Sequence, residues 1–186
     1  MNKTTTLIGC DVSHWNKHVD ISDFDFFIHK ATEGKSFCDS MFRERANTHL
    51  NKKPFGLYHF ARAENNNPID EVDYYLQTIK PYIGKCAMVL DFEGKSLHHN
   101  YSGEWLEKWL ETVKYLTNIP PMLYISESEY KGLKDYIPPN TPLWIANWST
   151  KPQIDCVMWQ YMTKPVDLDM FFGDIKDFKK LYNYLG

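Results

Sequence analysis

Short runs of apolar residues, most of them unbroken rather than alternating, constrain this chain more than any other feature. They are Leu7–Val12, Phe26–Ala31, Phe55–Phe60, Ala87–Phe92, Met122–Ile125, Leu143–Ala146 and Val157–Tyr161, with a last short run at Val166–Met170. Unbroken apolar runs of this length suit strands covered on both faces, as in a parallel sheet. Between them lie amphipathic segments that predict helices over Asp39–Asn51, Asp70–Lys80, Gly103–Thr117, Glu127–Tyr136 and Asp174–Tyr184. The third carries Trp105, Leu106, Trp109, Leu110, Val113 and Leu116 on one face, at i, i+3 and i+4 spacing. Cys38-Asp39-Ser40 reads as a cap for the first. Alternation of strand and helix points to an α/β barrel or a doubly wound sheet. The later strands are joined by segments too short for full crossover helices, so the second half should be irregular. With no repeat or linker in sight, residues 1–186 read as a single domain, and 186 residues suffice for a real core.

Composition narrows the function classes. The net charge is −3 and there is no basic run, which argues against nucleic acid. No apolar stretch reaches about 18 residues, so a membrane span is not expected. The start, from Met1, has no apolar stretch long enough for a signal peptide. Cys10, Cys38, Cys86 and Cys156 are scattered without a Cys-x-x-Cys pair, which argues against zinc and reads as buried free thiols. Aromatic residues make up 16% of the chain, including six Trp and twelve Tyr, more than a core of this size needs. Sugar clefts use such rings as stacking faces.

In either architecture, function gathers at the carboxyl ends of the strands. There the runs give way to Asp11-Val12-Ser13, Lys30-Ala31-Thr32-Glu33, Tyr58-His59-Phe60, Asp91-Phe92-Glu93, Ala146-Asn147-Trp148 and Val166-Asp167-Leu168-Asp169. Asp91 and Glu93 are the centre of the case. Residues i and i+2 of a strand face the same way, with Cα atoms about 6.5–7 Å apart. Two carboxylates so placed raise each other's proton affinity, so one can stay protonated as a general acid while the other stays ionised. The plain alternative is a solvated acidic turn. Asp11 repeats the pattern, against the alternative of a turn cap. Asp167 does so too, although Asp169 and Asp174 beside it read as ordinary loop and cap residues.

Taken in order, Asp11-Val12-Ser13-His14-Trp15, Ile28-His29-Lys30-Ala31-Thr32-Glu33-Gly34, Gly56-Leu57-Tyr58-His59-Phe60-Ala61-Arg62, Leu90-Asp91-Phe92-Glu93, Leu143-Trp144-Ile145-Ala146 and Trp159-Gln160-Tyr161 followed by Val166-Asp167-Leu168-Asp169-Met170-Phe171 span nearly the whole chain. Together they resemble glycoside hydrolase family 25, the Chalaropsis-type lysozymes, which include many phage endolysins. The resemblance implies an irregular TIM-like β/α barrel, mostly parallel, with helices reduced in the C-terminal half. It implies cleavage of the β-1,4 bond between N-acetylmuramic acid and N-acetylglucosamine in bacterial peptidoglycan, without a cofactor or metal. It assigns Glu93 as general acid and Asp91 as its assistant, with Asp11 and Asp167 completing an acidic floor. Tyr58, Tyr124, Trp144, Trp148, Trp159, His59 and Lys30 become candidates for sugar contact, Trp159 being as compatible with a core position. Many relatives have a longer loop where this chain has Met162–Pro165, and often Tyr where it has Trp148.

His14 and His18 have i, i+4 spacing but sit in a loop-like context, and no third ligand has suitable spacing. Ser13 and Ser126 lack the strand–turn–helix setting of a serine nucleophile. Two rival functions stay open at this point: a glycan-binding module that has lost turnover, and a chitinase-like hydrolase. The expected protein is a monomer acting on the cell wall, extracellular or released from a host cytoplasm, with no wall-binding module following Gly186.

Overall fold

The computed structural model describes residues 5–183. Nine strands form β1 (Leu7–Val12), β2 (Phe26–Glu33), β3 (Phe37–Cys38), β4 (Phe55–Phe60), β5 (Ala87–Asp91), β6 (Met122–Ser126), β7 (Leu143–Ala146), β8 (Met158–Met162) and β9 (Asp167–Phe171). The helices are α1 (Phe42–His49), α2 (Pro68–Ile79), α3 (Ser102–Thr117), α4 (Glu127–Leu133) and α5 (Ile175–Lys180). Strands β1, β2 and β4 to β8 pair in parallel, each with the next. β9 runs antiparallel to both β8 and β1 and closes the barrel. The expected irregular, mostly parallel α/β barrel is thus the observed fold. The short hairpin strand β3, paired with the end of β2, is an addition that no apolar run announced.

Side-chain alternation divides the core in two. One set fills the barrel: Leu7, Phe26, Ile28, Ala87, Val89, Met122, Trp144, Met158 and Phe171. The other lies between barrel and helices and includes Cys10, Phe27, Leu57, Met88, Leu90, Leu123, Ile125 and Ile145. At the floor, Phe178 of α5 packs its ring 5.0 Å from Phe26 and 5.1 Å from Phe171. Gly9 and Gly56 face inward where β2 places large side chains. A methyl on Gly9 would meet the Phe26 ring at 2.4 Å, and one on Gly56 would meet Ile28 at 2.6 Å.

Helix limits follow local chemistry. Asn67 caps α2 through Ile69 N, with Pro68 in the first turn. Asn118, at φ +57, ends α3. Asp174 caps α5 reciprocally with Asp177, as its reading as a cap residue predicted. α5 stops at Lys180, short of the expected end, and Tyr184 lies outside the described residues. α1 begins at Phe42, later than expected, and has no side-chain cap. Asp39 is committed elsewhere: Oδ2 accepts from His14 N and contacts His14 Nδ1, both at 2.8 Å.

The four cysteines are free, but only Cys10 and Cys86 are buried. Cys156, in the loop before β8, is half-buried, and Cys38 on the edge strand β3 is exposed, which corrects the expectation of buried thiols for those two. Among the described residues no helix is long and apolar enough to cross a membrane.

The Phe26–Gly9 contact sets a stability prediction. Gly9→Ala should destabilise by about 2–3 kcal/mol through overpacking. Gly132→Ala, in α4 with nothing within 4 Å of its new methyl, should stabilise by about 0.5–1 kcal/mol. Urea unfolding of the two variants beside wild type measures both.

Candidate active site

Because β1, β2 and β4 to β8 point the same way, their carboxyl ends share one mouth, and the start of the reversed β9 joins them. A cleft of about 290 Å³ opens there. Asp11, Asp91, Glu93 and Asp167 line it, so all four expected carboxylates come together. β5 ends with Asp91 inside the barrel. Phe92 turns outward against Trp105, with ring centroids 5.7 Å apart. Glu93, still extended, then returns to the cleft side. Two backbone bonds prolong the strand geometry past its end: Ala61 N donates to Asp91 O at 3.0 Å, and Phe92 N donates to Tyr124 O at 3.1 Å. Gly94, at φ +61, breaks the chain away.

Burial dominates the electrostatics. Burial, then the Asp167 carboxylate, push Asp11 up to about 8, against a hydrogen bond from Gln160. Burial, then Glu93 and Asp11, hold Asp91 well above the usual carboxylate range. Glu93 is raised by burial and by Asp167, with Lys30 opposing. Asp167 is raised by burial. Asp169 was read as an ordinary loop residue, and the structure corrects this. It is fully buried in β9, accepts from Trp144 Nε1 at 2.9 Å, and is held well above the usual carboxylate range by burial and Asp11.

Lys30 is the one cation among the residues lining the cleft. Its ammonium bonds Glu33 and sits 4.6 Å from the Phe60 ring centre. Glu33 also accepts from Arg62 Nε at 2.7 Å. Burial raises Glu33, but these two donors outweigh it and hold it below its ordinary value.

Tyr58, Tyr124, Trp144 and Trp148 line the cleft as expected. Trp144 is nearly buried, its ring edge-on to Tyr124 at 4.6 Å. Trp148 is 61% exposed. His59 and Trp159 do not belong to the cleft, which corrects their placement among sugar contacts. Neighbouring strand residues face opposite sides. Tyr58 faces in, so His59 faces the helices, where it contacts Glu71 Oε2 at 2.7 Å and Thr32 Oγ1 at 2.8 Å. Gln160 faces in, so Trp159 faces out and donates to Asn147 O at 2.7 Å. Gln160, Ser13, Trp15, Phe60 and Thr163 also line the cleft and were not singled out as site residues. Alternation would have found Gln160 and Phe60. Trp15, 83% exposed in the turn after β1, had the aromatic signal but no register.

A mostly parallel barrel whose mouth holds desolvated carboxylates flanked by exposed indoles defines a glycoside hydrolase. The model of glycosyl hydrolases family 25 matches residues 10–169, and the chain belongs to that family. Its fold is similar to that of a muramidase from Trichobolus zukalii (TM-score 0.82, 22% identity, 96% of this chain and 99% of that one covered). It is similar also to a bacterial lysozyme from Streptomyces coelicolor (TM-score 0.80, 22% identity, covering 99% and 100%). The catalytic domain of an endolysin from a bacteriophage of Listeria monocytogenes is a third (TM-score 0.80, 23% identity, covering 98% and 100%). Comparison with curated protein sequences gave no match.

The raised carboxylates make stability depend on pH with a definite sign. Between the ordinary value, 3.8 for an aspartate, and the folded value, about 8 for Asp11, the folded chain holds protons that the unfolded chain releases. Their contribution to stability is therefore present below that window and lost as pH rises through it. The melting temperature should fall from pH 5 to pH 8. Asp11→Asn should raise it by on the order of 5 °C at pH 8 and by less at pH 5, as calorimetry at the two pH values would show.

Proposed function

We propose that this chain is a muramidase that cuts the β-1,4 bond between N-acetylmuramic acid and N-acetylglucosamine in bacterial peptidoglycan, working on the cell wall as one catalytic domain. The observation that carries the reading is the pair Asp91 and Glu93 at two depths of one cleft. Asp91 is 9% exposed and its Oδ1 is buried without a hydrogen-bond partner. Glu93, more open, lies nearer the solvent side. A proton donor must reach the bridging oxygen, and Glu93, whose proton affinity burial and Asp167 raise, stands at the depth that role needs. An unpaired buried carboxylate oxygen suits an amide N–H, and each residue of this polymer carries one on its 2-acetamido group.

The steps then follow. Glu93 gives its proton to the bridging oxygen as the C1–O bond breaks. The acetamido oxygen attacks C1, and Asp91 accepts the acetamido N–H and so favours that attack. Water, deprotonated by Glu93, then opens the cyclic intermediate. The two displacements retain the anomeric configuration, and the substrate's own oxygen replaces an enzymic nucleophile. Asp11 and Asp167 complete the acidic floor of the cleft beside the reacting sugar. Tyr58, Tyr124 and Lys30 offer hydrogen bonds to the sugars, and Trp144 and Trp148 form the aromatic wall.

Glu93→Gln should lower kcat on purified peptidoglycan by about 10²–10⁴-fold, the usual worth of a general acid. Retention of most activity would reassign the acid. Mass spectrometry of the released muropeptides should show N-acetylmuramic acid at the reducing end, and proton NMR should show the retained anomer first. Cleavage of chitin oligomers in preference to the wall would favour a chitinase-like enzyme instead, and binding without cleavage would favour a glycan-binding module.

A further inference from the structure

Gln160 is 4% exposed and makes three side-chain hydrogen bonds to three different elements of the cleft. Its Oε1 accepts from the Tyr124 hydroxyl at 3.0 Å and from Trp148 Nε1 at 3.1 Å. Its Nε2 donates to Asp11 Oδ2 at 2.7 Å. An indole N–H can only donate, so it requires the oxygen of the amide to face it. The nitrogen is then left for Asp11, whose oxygen must accept. A tyrosine hydroxyl can donate or accept and would tolerate either orientation. While Asp11 holds its proton and could itself donate, the indole of Trp148 is thus the group that fixes which way the amide points. We propose that Gln160 is a positioning residue whose orientation is locked by Trp148, and that through it the exposed aromatic wall governs the hydrogen bonding of Asp11 on the acidic floor. This deepens the glycan-cleaving reading and rests on it only for the chemistry that Asp11 serves.

Acidic groups crowd Asp11. Asp167 and Asp169 of β9 lie beside it, Asp91 and Glu93 come from the end of β5, and the phenols of Tyr58 and Tyr124 come from β4 and β6. Lys30 is the cation on the cleft lining. The Gln160 bond is the strongest contact opposing the upward push that burial and Asp167 exert on Asp11. A flipped amide would offer Asp11 an oxygen instead, and so favour its protonated form.

The test is a carboxyl-carbon NMR titration of Asp11 in the ligand-free protein, with Asp11→Asn to assign the signal. Gln160→Leu should raise the Asp11 midpoint by about one pH unit or more. Trp148→Phe, at a site 61% exposed, should raise it in the same direction by less. Trp15→Phe, which removes an indole from the same cleft without touching Gln160, should leave it unmoved. A midpoint unchanged in Trp148→Phe, or moved equally by Trp15→Phe, overturns the proposal. If Gln160→Leu does not fold, Trp148→Phe still decides. The titration needs no turnover, so it stands or falls separately from the muramidase reading.

Discussion

The structure turns on one pairing that charge alone would forbid. β9 closes the barrel against β1 with Asp167 directly opposite Asp11 and Asp169 opposite Gly9. Like charges facing each other across strands are destabilising. Here they are also removed from water, which adds to the cost. The fold answers by raising the proton affinity of these groups and by supplying neutral donors: Gln160 to Asp11, and the Trp144 indole to Asp169. The barrel cannot close in this register without gathering acids, and the acids cannot stay unless the mouth is lined with donors that carry no charge.

The one cation among the residues lining the cleft is deployed with restraint. Lys30 lowers the proton affinity of both Asp91 and Glu93, yet its ammonium is shared with Glu33, which Arg62 also grips. A free lysine beside Asp91 and Glu93 would favour their ionised forms. Sharing its charge with Glu33 leaves burial as the larger influence on both.

Much of this was legible in the sequence because one periodicity carries both fold and site. Apolar runs gave the parallel strands, and the acids ending them marked the mouth. The same period of two held information that remained unused: with Tyr58 inward, His59 must face the helices, and with Asp167 inward, Asp169 must share its side. Reversal of β9 was also encoded. Parallel strands need a crossover of a dozen or more residues, and the four residues 163–166 between β8 and β9 leave room only for an antiparallel return. By contrast, the depth of Trp144 and the late start of α1 depend on partners distant in the chain. Nothing local to Cys38-Asp39-Ser40 says that the aspartate will bond His14 rather than cap a helix.

The packed interior and the chemistry at its mouth are therefore one physical device. Phe26, Ile28, Val89, Met122 and Met158 fill the barrel from below and give Asp91 an apolar floor. That low-polarity floor is what raises Asp91 above the ordinary carboxylate range, and Glu93 differs chiefly in standing nearer the solvent. The same sequence alternation thus sets two carboxyl groups at two depths, and depth separates their behaviour. Ionising these groups as pH rises through their raised range costs stability, and strongly shifted carboxylates gathered in one cleft mark a candidate functional site.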